Sequence, residues 1–275
     1  MKPTPDGDQR AAAALAGLLE VMRRLRDPVS GCPWDREQDF ASIAPYTLEE
    51  AHEVADAIAR EDWPQLRDEL GDLLFQVVFY ARLAQERGWF DFASLTAGIR
   101  DKLQRRHPHV FAAQDLPATD ARTLSQAWEH SKAGERAAQG ATGALDGVAL
   151  ALPALTRAAK LGKRAARVGF DWPDAGAVAG KVREELAELT SELAAGQQDA
   201  ASEELGDLLF ALAQYGRHLG LDPESALRQA NRKFERRFAA MESRLRTAGR
   251  DPQQLSAADW DSLWNKVKLS EKDSP

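Results

Sequence analysis

The sequence predicts an all-α protein made of two tandem, homologous helical-bundle domains. Apolar residues recur at helical spacing, and segments of the first half return in the second. No run of alternating β-branched residues predicts a strand. The clearest helical runs are Val182, Leu186, Leu189 and Leu193, followed by Leu205, Leu208, Leu209 and Leu212.

The internal repeat is read from strings that keep their order and spacing. DELGDLLF (68–75) returns as EELGDLLF (203–210), 135 residues later. EEAHEVADAI (49–58) precedes EELAELTSEL (184–193) by the same offset. A fixed order of shared segments indicates duplication of one structural unit.

The length of 275 residues suits two domains, and the composition places their boundaries. We expect a loose tail over 1–14 and a first domain over 15–131. An Ala- and Gly-rich segment without apolar periodicity, 132–147, predicts a linker. A second domain over 148–270 and a short tail over 271–275 complete the chain.

Composition and charge limit the class of protein. The net charge of −7 argues against nucleic acid or an anionic membrane as a partner. No apolar stretch approaches the roughly 18–20 residues of a membrane-spanning helix. Cys32 is the single cysteine, so no intrachain disulfide can form, and the N terminus does not resemble a signal peptide. We therefore expect a cytoplasmic protein.

Acidic residues follow the edge of both apolar runs in the second half. Successive residues of a helix lie 100° apart, which puts Lys181, Glu185 and Glu188 on one stripe and Glu204 and Asp207 beside the next apolar run. We expect the two apolar stripes to pack together, with the carboxylates converging at the seam and with a glycine, Gly206, allowing close backbone approach.

Carboxylates crowded in this way repel one another unless a cation neutralises them or some bind protons. A cluster of oxygen ligands without cysteine suits Mg²⁺ or Mn²⁺ rather than zinc. The alternative is an ordinary solvated helix face. The near-copy in the first half favours a site, although duplication would copy a structural motif too.

A basic segment follows on the next predicted helix. Lys233, Arg236 and Arg237 stand at i, i+3 and i+4, with Asn231 ahead of them. Alone they could form a surface basic face. Beside a metal–carboxylate cluster, these cations suit phosphate oxygens. Together the two groups predict phosphoryl transfer or phosphate hydrolysis.

Other chemistries find less support. The sequence contains no GxxxxGK[ST] string, so a P-loop is excluded. Cys32 has no evident base partner, which argues against a nucleophilic cysteine. His107 and His109 flank Pro108, which favours a turn over a zinc pair. Glu49 and His52 form a lone ExxH, whereas a di-iron bundle needs two.

The residues then resemble the MazG family of nucleoside triphosphate pyrophosphohydrolases over roughly residues 15–270. The resemblance is carried by GCPWDREQDFASIAPYTLEEAHEV, RDELGDLLFQVVFYARLAQE, KLQRRHPHVF, VGFDW, EELGDLLF and NRKFERRF. It implies tandem all-α domains, a homodimer, and Mg²⁺-dependent hydrolysis of canonical and non-canonical nucleoside triphosphates to the monophosphate and pyrophosphate.

The resemblance also assigns roles to particular residues. The family's acidic pattern places the metal ligands at Glu185, Glu188, Glu204 and Asp207. Substrate contacts are implied for these residues: Lys181, Asn231, Lys233, Arg236, Arg237 and Trp264. Either Glu185 or Glu188 would accept the proton of the attacking water, and Trp264 could stack on the base or ribose.

The first half repeats the acids, but its cations differ. Its corresponding acids are Glu50, Glu53, Glu69 and Asp72. Tyr46 stands where the second half has Lys181, and Pro108 should break the helix that follows KLQRR. We therefore expect a weak or inactive first site. Two alternatives stay open: a base-selective enzyme of the dUTPase or phosphoribosyl-ATP pyrophosphohydrolase type, and a non-catalytic nucleotide-sensing or partner-binding module.

Overall fold

The computed structural model describes residues 5–111 and 143–272. Within these ranges the chain is helical, with one 3₁₀ turn and no strand, so the all-α prediction is confirmed. The first range contains six helices: α1 (Pro5–Leu25), α2 (Pro33–Glu37), α3 (Phe40–Arg60), α4 (Trp63–Glu86), α5 (Phe92–Arg106) and α6 (Pro108–Phe111).

The second range contains five helices: α7 (Ala154–Ala166), α8 (Ala175–Ala194), α9 (Gln198–His218), α10 (Pro223–Thr247) and α11 (Ala257–Lys272). A 3₁₀ turn, Pro252–Gln254, joins the last two. The chain divides into two compact units between residues 128 and 129. That point and most of the predicted linker (132–147) lie outside the described residues.

The expectation of a loose tail over 1–14 is wrong for its described part, because α1 begins at Pro5. Alanine and leucine predominate in residues 11–19, and both have high helix propensity. Asp6 and Asp8 lie in the first turn, where negative charge is favourable to the helix dipole. At the other end, α11 continues to Lys272, two residues past the predicted end of the second domain.

Aspartates at helix N-termini fix where the site helices begin. The Asp174 side chain accepts a hydrogen bond from the Ala177 amide at the start of α8. Asp222 accepts from the Glu224 and Ser225 amides, and Pro223 follows it as the first residue of α10. These caps satisfy amides that have no partner inside the helix. The predicted start of this long helix at Asp222-Pro223 is confirmed.

Each unit is organised around a helix hairpin. In the first unit α3 and α4 pair across a two-residue connection, and a core of Met22, Ile43, Val78, Phe79 and Leu83 holds α1 against them. In the second unit α8 and α9 pair across residues 195–197, and α7 packs on α9. No helix in the described parts of the chain is long and apolar enough to cross a membrane.

Candidate active site

The hairpin of α8 and α9 brings three of the four predicted metal ligands together. Carboxylate oxygens of Glu185 and Glu188 on α8 and of Glu204 on α9 all lie within 4.8 Å of one another. Asp207, the fourth predicted ligand, is exposed and lies outside this trio. It is near enough to Glu204 for its charge to help raise the pKa of that carboxyl.

The seam between these helices differs from the one that the sequence predicts. Glu185 is 4% exposed, whereas Leu186 beside it is 52% exposed and Leu205 on α9 is 46% exposed. The hairpin therefore buries Glu185 at its seam, with small residues such as Ala201 and Ala211 packed inside, and leaves Glu188 and much of the leucine stripe exposed. Glu185 can be buried because Lys181 offsets its charge, as described below.

The expected close approach at Gly206 is also wrong. A Cβ atom added there would meet no atom within 4 Å. A closely packed glycine lies elsewhere in the second unit: at Gly162 on α7, an added Cβ would lie 1.8 Å from the side-chain oxygen of the fully buried Gln214. Gly162 is required because Gln214 fills the space that a side chain would need.

Lys181 supplies the positive charge beside the trio. Its Nζ lies 2.6 Å from Glu185 Oε1 and 2.6 Å from Glu184 Oε1. The hydrogen bond from Lys181 holds the pKa of Glu185 below its usual value, despite burial. The two carboxylates in turn raise the pKa of Lys181 above its usual range. The residue predicted to bind substrate phosphate is thus already in contact with a predicted metal ligand.

Glu204 has the opposite electrostatic environment from Glu185. Burial raises its pKa, and so do a hydrogen bond with Glu185 and the charges of Glu188, Glu185 and Asp207. No cation is among the causes that act on Glu204. The trio therefore carries more negative charge than Lys181 offsets, which is the arrangement that a divalent cation would relieve.

The basic segment of α10 contacts the last helix rather than the acidic trio. Arg237 Nε lies 2.7 Å from Glu271 Oε2, and Arg236 Nε lies 3.4 Å from Glu271 Oε1. The guanidinium of Arg237 also lies 5.5 Å from the centre of the Trp264 ring. Trp264 is half-buried and its ring centre is 5.6 Å from that of Phe234 on α10.

Asn231 and Lys233 lie on the exposed side of α10. Among the described residues, Lys233 forms no ion pair within 4 Å. Two acidic partners of the predicted cations, Glu184 and Glu271, were missed by the sequence reasoning. Glu184 lies three residues after Lys181 and spacing could have indicated it, but Glu271 lies 34 residues from Arg237 and no local pattern links them.

The first unit also has an acidic trio, which shares two of its three positions with the second trio and has Tyr46 where the second unit has Lys181. Glu50 on α3 and Glu69 and Asp72 on α4 have carboxylate oxygens within 4.8 Å of one another. Burial raises the pKa of Glu50, and the neighbouring carboxylates raise it further. Tyr46, at the position of Lys181, packs edge-on against Trp34 with ring centres 6.1 Å apart.

Two further predictions about the first unit can be compared with the structure. Glu53 lies outside the first trio, although the charge of Glu69 raises the pKa of Glu53. The predicted break at Pro108 is confirmed: α5 ends at Arg106, and His107 separates it from the short α6. The matching helix of the second unit, α10, runs through its basic segment to Thr247.

A partly exposed polar network fixes the loop that precedes α8. Arg217 Nη1 donates to Asp171 Oδ2 at 3.0 Å, and His218 Nε2 lies 3.0 Å from Asp171 Oδ1. Arg217 Nε also donates to Gln214, whose amide donates to the Ala158 carbonyl at 2.7 Å. Hydrogen bonding from Arg217 holds the pKa of Asp171 far below its usual range. The network ties the GFDWP loop to α9 and so sets where α8 begins.

Comparison with known proteins places this geometry in a family. The MazG nucleotide pyrophosphohydrolase domain matches residues 38–111 and again residues 177–240. The nucleoside triphosphate pyrophosphohydrolase of Escherichia coli K12 is 52% identical over 258 residues, covering 93% of this chain and 97% of the relative. The nucleoside triphosphate pyrophosphohydrolase/pyrophosphatase MazG of Thermotoga maritima is 39% identical over 91% of this chain and 94% of its own length.

The two matched ranges contain α3 and α4 in one unit and α8 and α9 in the other, which are the hairpins that carry the acidic trios. The duplication read from the sequence is therefore a duplication of this domain. The chain belongs to the MazG nucleotide pyrophosphohydrolase family.

Proposed function

We propose that this chain hydrolyses nucleoside triphosphates, canonical and non-canonical, to the monophosphate and pyrophosphate in a Mg²⁺-dependent reaction at the α8–α9 hairpin. The observation that carries the proposal is the trio of Glu185, Glu188 and Glu204, with carboxylate oxygens within 4.8 Å and a lysine in contact with one of them. The names of the two relatives support the same reaction.

The residues of the trio fit a hard divalent cation. All donors are carboxylate oxygens, which Mg²⁺ and Mn²⁺ prefer. Burial raises the pKa of Glu204, and the charges of three neighbouring carboxylates, Glu188, Glu185 and Asp207, raise it further, which is consistent with uncompensated negative charge at this point of the hairpin. Glu185, Glu188 and Glu204 would hold the ion, and Asp207 would complete the set after a side-chain movement. When bound, the ion would supply neutralisation of the phosphates and Lewis-acid activation of the attacking water.

Of the two acids considered as the general base, Glu188 suits the role better. Glu185 is buried and bonded to Lys181, and the lowered pKa makes it the weaker proton acceptor. Glu188 is exposed, so water can reach it. Glu188 would accept the proton of the water that attacks the α-phosphorus, while Glu185 would remain an ionised anchor.

The cations would bind the phosphate chain of the substrate. Lys181 lies at the trio, where it would contact a phosphate oxygen as well as Glu185. Lys233, Arg236 and Arg237 would neutralise the remaining phosphates, since guanidinium groups bind phosphate in a forked geometry. Asn231 would contribute a hydrogen bond, and Trp264 would stack on the base or ribose.

The first unit would serve assembly more than catalysis. Its trio has no lysine, because Tyr46 occupies that position and packs on Trp34. Apolar side chains on both hairpins are also uncovered: Leu48, Ile58, Leu70, Leu74, Leu186, Leu193, Leu205, Leu209 and Leu212. Apolar surface of this extent is typical of an interface, and a second copy of the chain would cover it in a homodimer.

A product assay tests the proposal. The chain is incubated with Mg²⁺ and each of the eight common nucleoside and deoxynucleoside triphosphates, and products are separated by ion-exchange chromatography. We expect the monophosphate and pyrophosphate in equal amounts. Release of a diphosphate and orthophosphate would refute the assigned bond cleavage, and unchanged nucleotide would favour a sensing module. Hydrolysis of nucleotides with only one kind of base would indicate a base-selective enzyme.

A further inference from the structure

We propose that Glu271 belongs to the substrate site as a resident carboxylate: it occupies the guanidinium groups of Arg236 and Arg237 and is displaced when substrate phosphate binds. This inference rests on the proposed function, because it takes those arginines as phosphate ligands. The inference adds to the proposed substrate site a residue that no spacing in the sequence indicates.

The contact has the form of an anion held by two guanidinium groups. One carboxylate oxygen of Glu271 lies 2.7 Å from Arg237 Nε, and the other lies 3.4 Å from Arg236 Nε. The Arg237 side chain is 17% exposed and that of Glu271 is 28% exposed, so this pair is partly shielded from water, whereas the Arg236 side chain is 65% exposed. Two oxygens bridging two arginines match the way in which a phosphate group is bound. Glu271 and a phosphate oxygen therefore compete for the same donors.

The helix that carries Glu271 does not depend on this ion pair. Trp264 and Trp260 of α11 pack on Phe234 and Phe238 of α10, with ring centres 5.6 and 5.9 Å apart. Val267 is buried in the same interface. Because aromatic and aliphatic packing holds α11 in place, the carboxylate of Glu271 can release the arginines while its helix stays docked.

The place of Glu271 in its helix also favours release. Glu271 lies in the last turn of α11, one residue before the helix ends at Lys272. The backbone there needs no large rearrangement for the side chain to turn towards solvent. The Trp264 ring beside the Arg237 guanidinium would keep that group oriented after the carboxylate leaves.

The opposite role is a positioning one, in which Glu271 orients the arginines for substrate and helps binding. The two roles predict opposite changes in substrate affinity when the negative charge of Glu271 is removed. The test variant is Glu271→Gln, which keeps the shape of the side chain. The matched control is Ser270→Ala, because Ser270 Oγ accepts a hydrogen bond from a different arginine, Arg244, at 2.9 Å and so also joins α11 to α10.

Binding is measured by isothermal titration with the α,β-methylene analogue of ATP in Mg²⁺, which the proposed cleavage cannot hydrolyse. Partly exposed ion pairs contribute only a few-fold to an equilibrium. We expect the Kd of Glu271→Gln to fall about threefold, the KM for ATP to fall in parallel, and Ser270→Ala to match the wild type. Helical content by circular dichroism checks that both variants fold.

An unchanged or raised Kd in Glu271→Gln would overturn the proposal, and so would an equal fall in Ser270→Ala, which would assign the effect to loosening of α11. The proposed function fails separately, if the wild type releases no pyrophosphate from any triphosphate. The Kd comparison still decides the role of Glu271 in that case, since binding of the analogue needs no turnover.

Discussion

Replacing Glu185 and Glu50 by glutamine should change the stability of the two units in opposite directions, although both residues occupy the same place in the duplicated hairpin. The pKa of Glu185 is lowered, chiefly by its hydrogen bond with Lys181, so the folded state favours the carboxylate. The pKa of Glu50 is raised by burial and by its acidic neighbours, so the folded state disfavours the carboxylate.

The sign follows from proton linkage. A carboxyl with a lowered pKa stabilises the fold above its unfolded pKa, and that contribution is lost as the pH falls through the folded pKa. A carboxyl with a raised pKa opposes folding at neutral pH, and the penalty is relieved as the pH falls. At pH 7, without metal, Glu185→Gln should therefore destabilise and Glu50→Gln should stabilise.

The loss of stability expected in Glu185→Gln depends on how far the Lys181–Glu185 ion pair is shielded from water. Lys181 is 35% exposed and the Glu185 side chain is 6% exposed. Exposed pairs contribute about 0.2–1 kcal/mol, and breaking a fully buried pair costs about 3–5 kcal/mol. Because Glu184 keeps a contact with Lys181, we expect a loss of about 1 kcal/mol, or about 4 °C in the Tm of a unit of this size. The gain in Glu50→Gln should be roughly 0.2–0.5 kcal/mol, as for like-charged pairs on helices.

The assay is scanning calorimetry of the whole chain at pH 7 in EDTA, repeated at pH 4. Hydrogen exchange of peptides from α3–α4 and α8–α9 assigns each change to its unit. Turnover in Mg²⁺ is measured on the same preparations. A lost metal ligand in the second unit should lower kcat at least about 10²-fold, beyond the roughly 10–100-fold of residues that only support a ligand. Glu50→Gln should change kcat little.

Stability changes of the same sign in both variants would refute the electrostatic difference that the structure gives the two trios. Equal losses of turnover would refute the assignment of catalysis to the second unit, and a loss confined to Glu50→Gln would reverse it. A difference that does not shrink between pH 7 and pH 4 would show that charge is not its cause.

Three other predictions follow from the structure. Activity should vanish in EDTA and return with Mg²⁺ or Mn²⁺, whereas Ca²⁺ should support turnover poorly; full activity in excess chelator would contradict the metal site. Gly162→Ala should destabilise by about 1–3 kcal/mol in urea unfolding, because an added methyl group collides with Gln214, while Gly180→Ala, in open space on α8, should be neutral or stabilising by up to about 1 kcal/mol. The double variant Leu186→Lys, Leu205→Lys should be monomeric in sedimentation velocity where the wild type is a dimer. A monomeric wild type would contradict the proposed homodimer.

Helix formation and duplication could be read from the sequence because both depend on local order. Periodic leucines, capping aspartates such as Asp222 and the repeated ELGDLLF string act over a few residues and need no knowledge of packing. The break at Pro108 was predictable for the same reason, since proline cannot continue the hydrogen bonds of α5. The tail was misread because alanine-rich residues 11–19 carry a helix propensity that the polar first residues concealed.

The candidate site was predictable only as a set of residue types. Helical spacing placed Glu185 and Glu188 on one face, and the repeat drew attention to Glu204 and Asp207. Spacing could not tell which face of the hairpin would be buried, because the leucine stripe and the acidic stripe lie side by side on α8. The structure buries Glu185, leaves Glu188 exposed and separates Asp207 from the trio.

By itself the sequence determined that the chain is helical, that it contains the same unit twice, and which acids and cations are available for chemistry. These follow from periodicity, composition and order along the chain. Tertiary structure alone decided how charges that are distant in the sequence are paired: Asp171 with Arg217, and Arg236 and Arg237 with Glu271. The reason is that Coulomb interactions depend on distance in space, and Glu271 reaches Arg237 only because α11 folds back along α10.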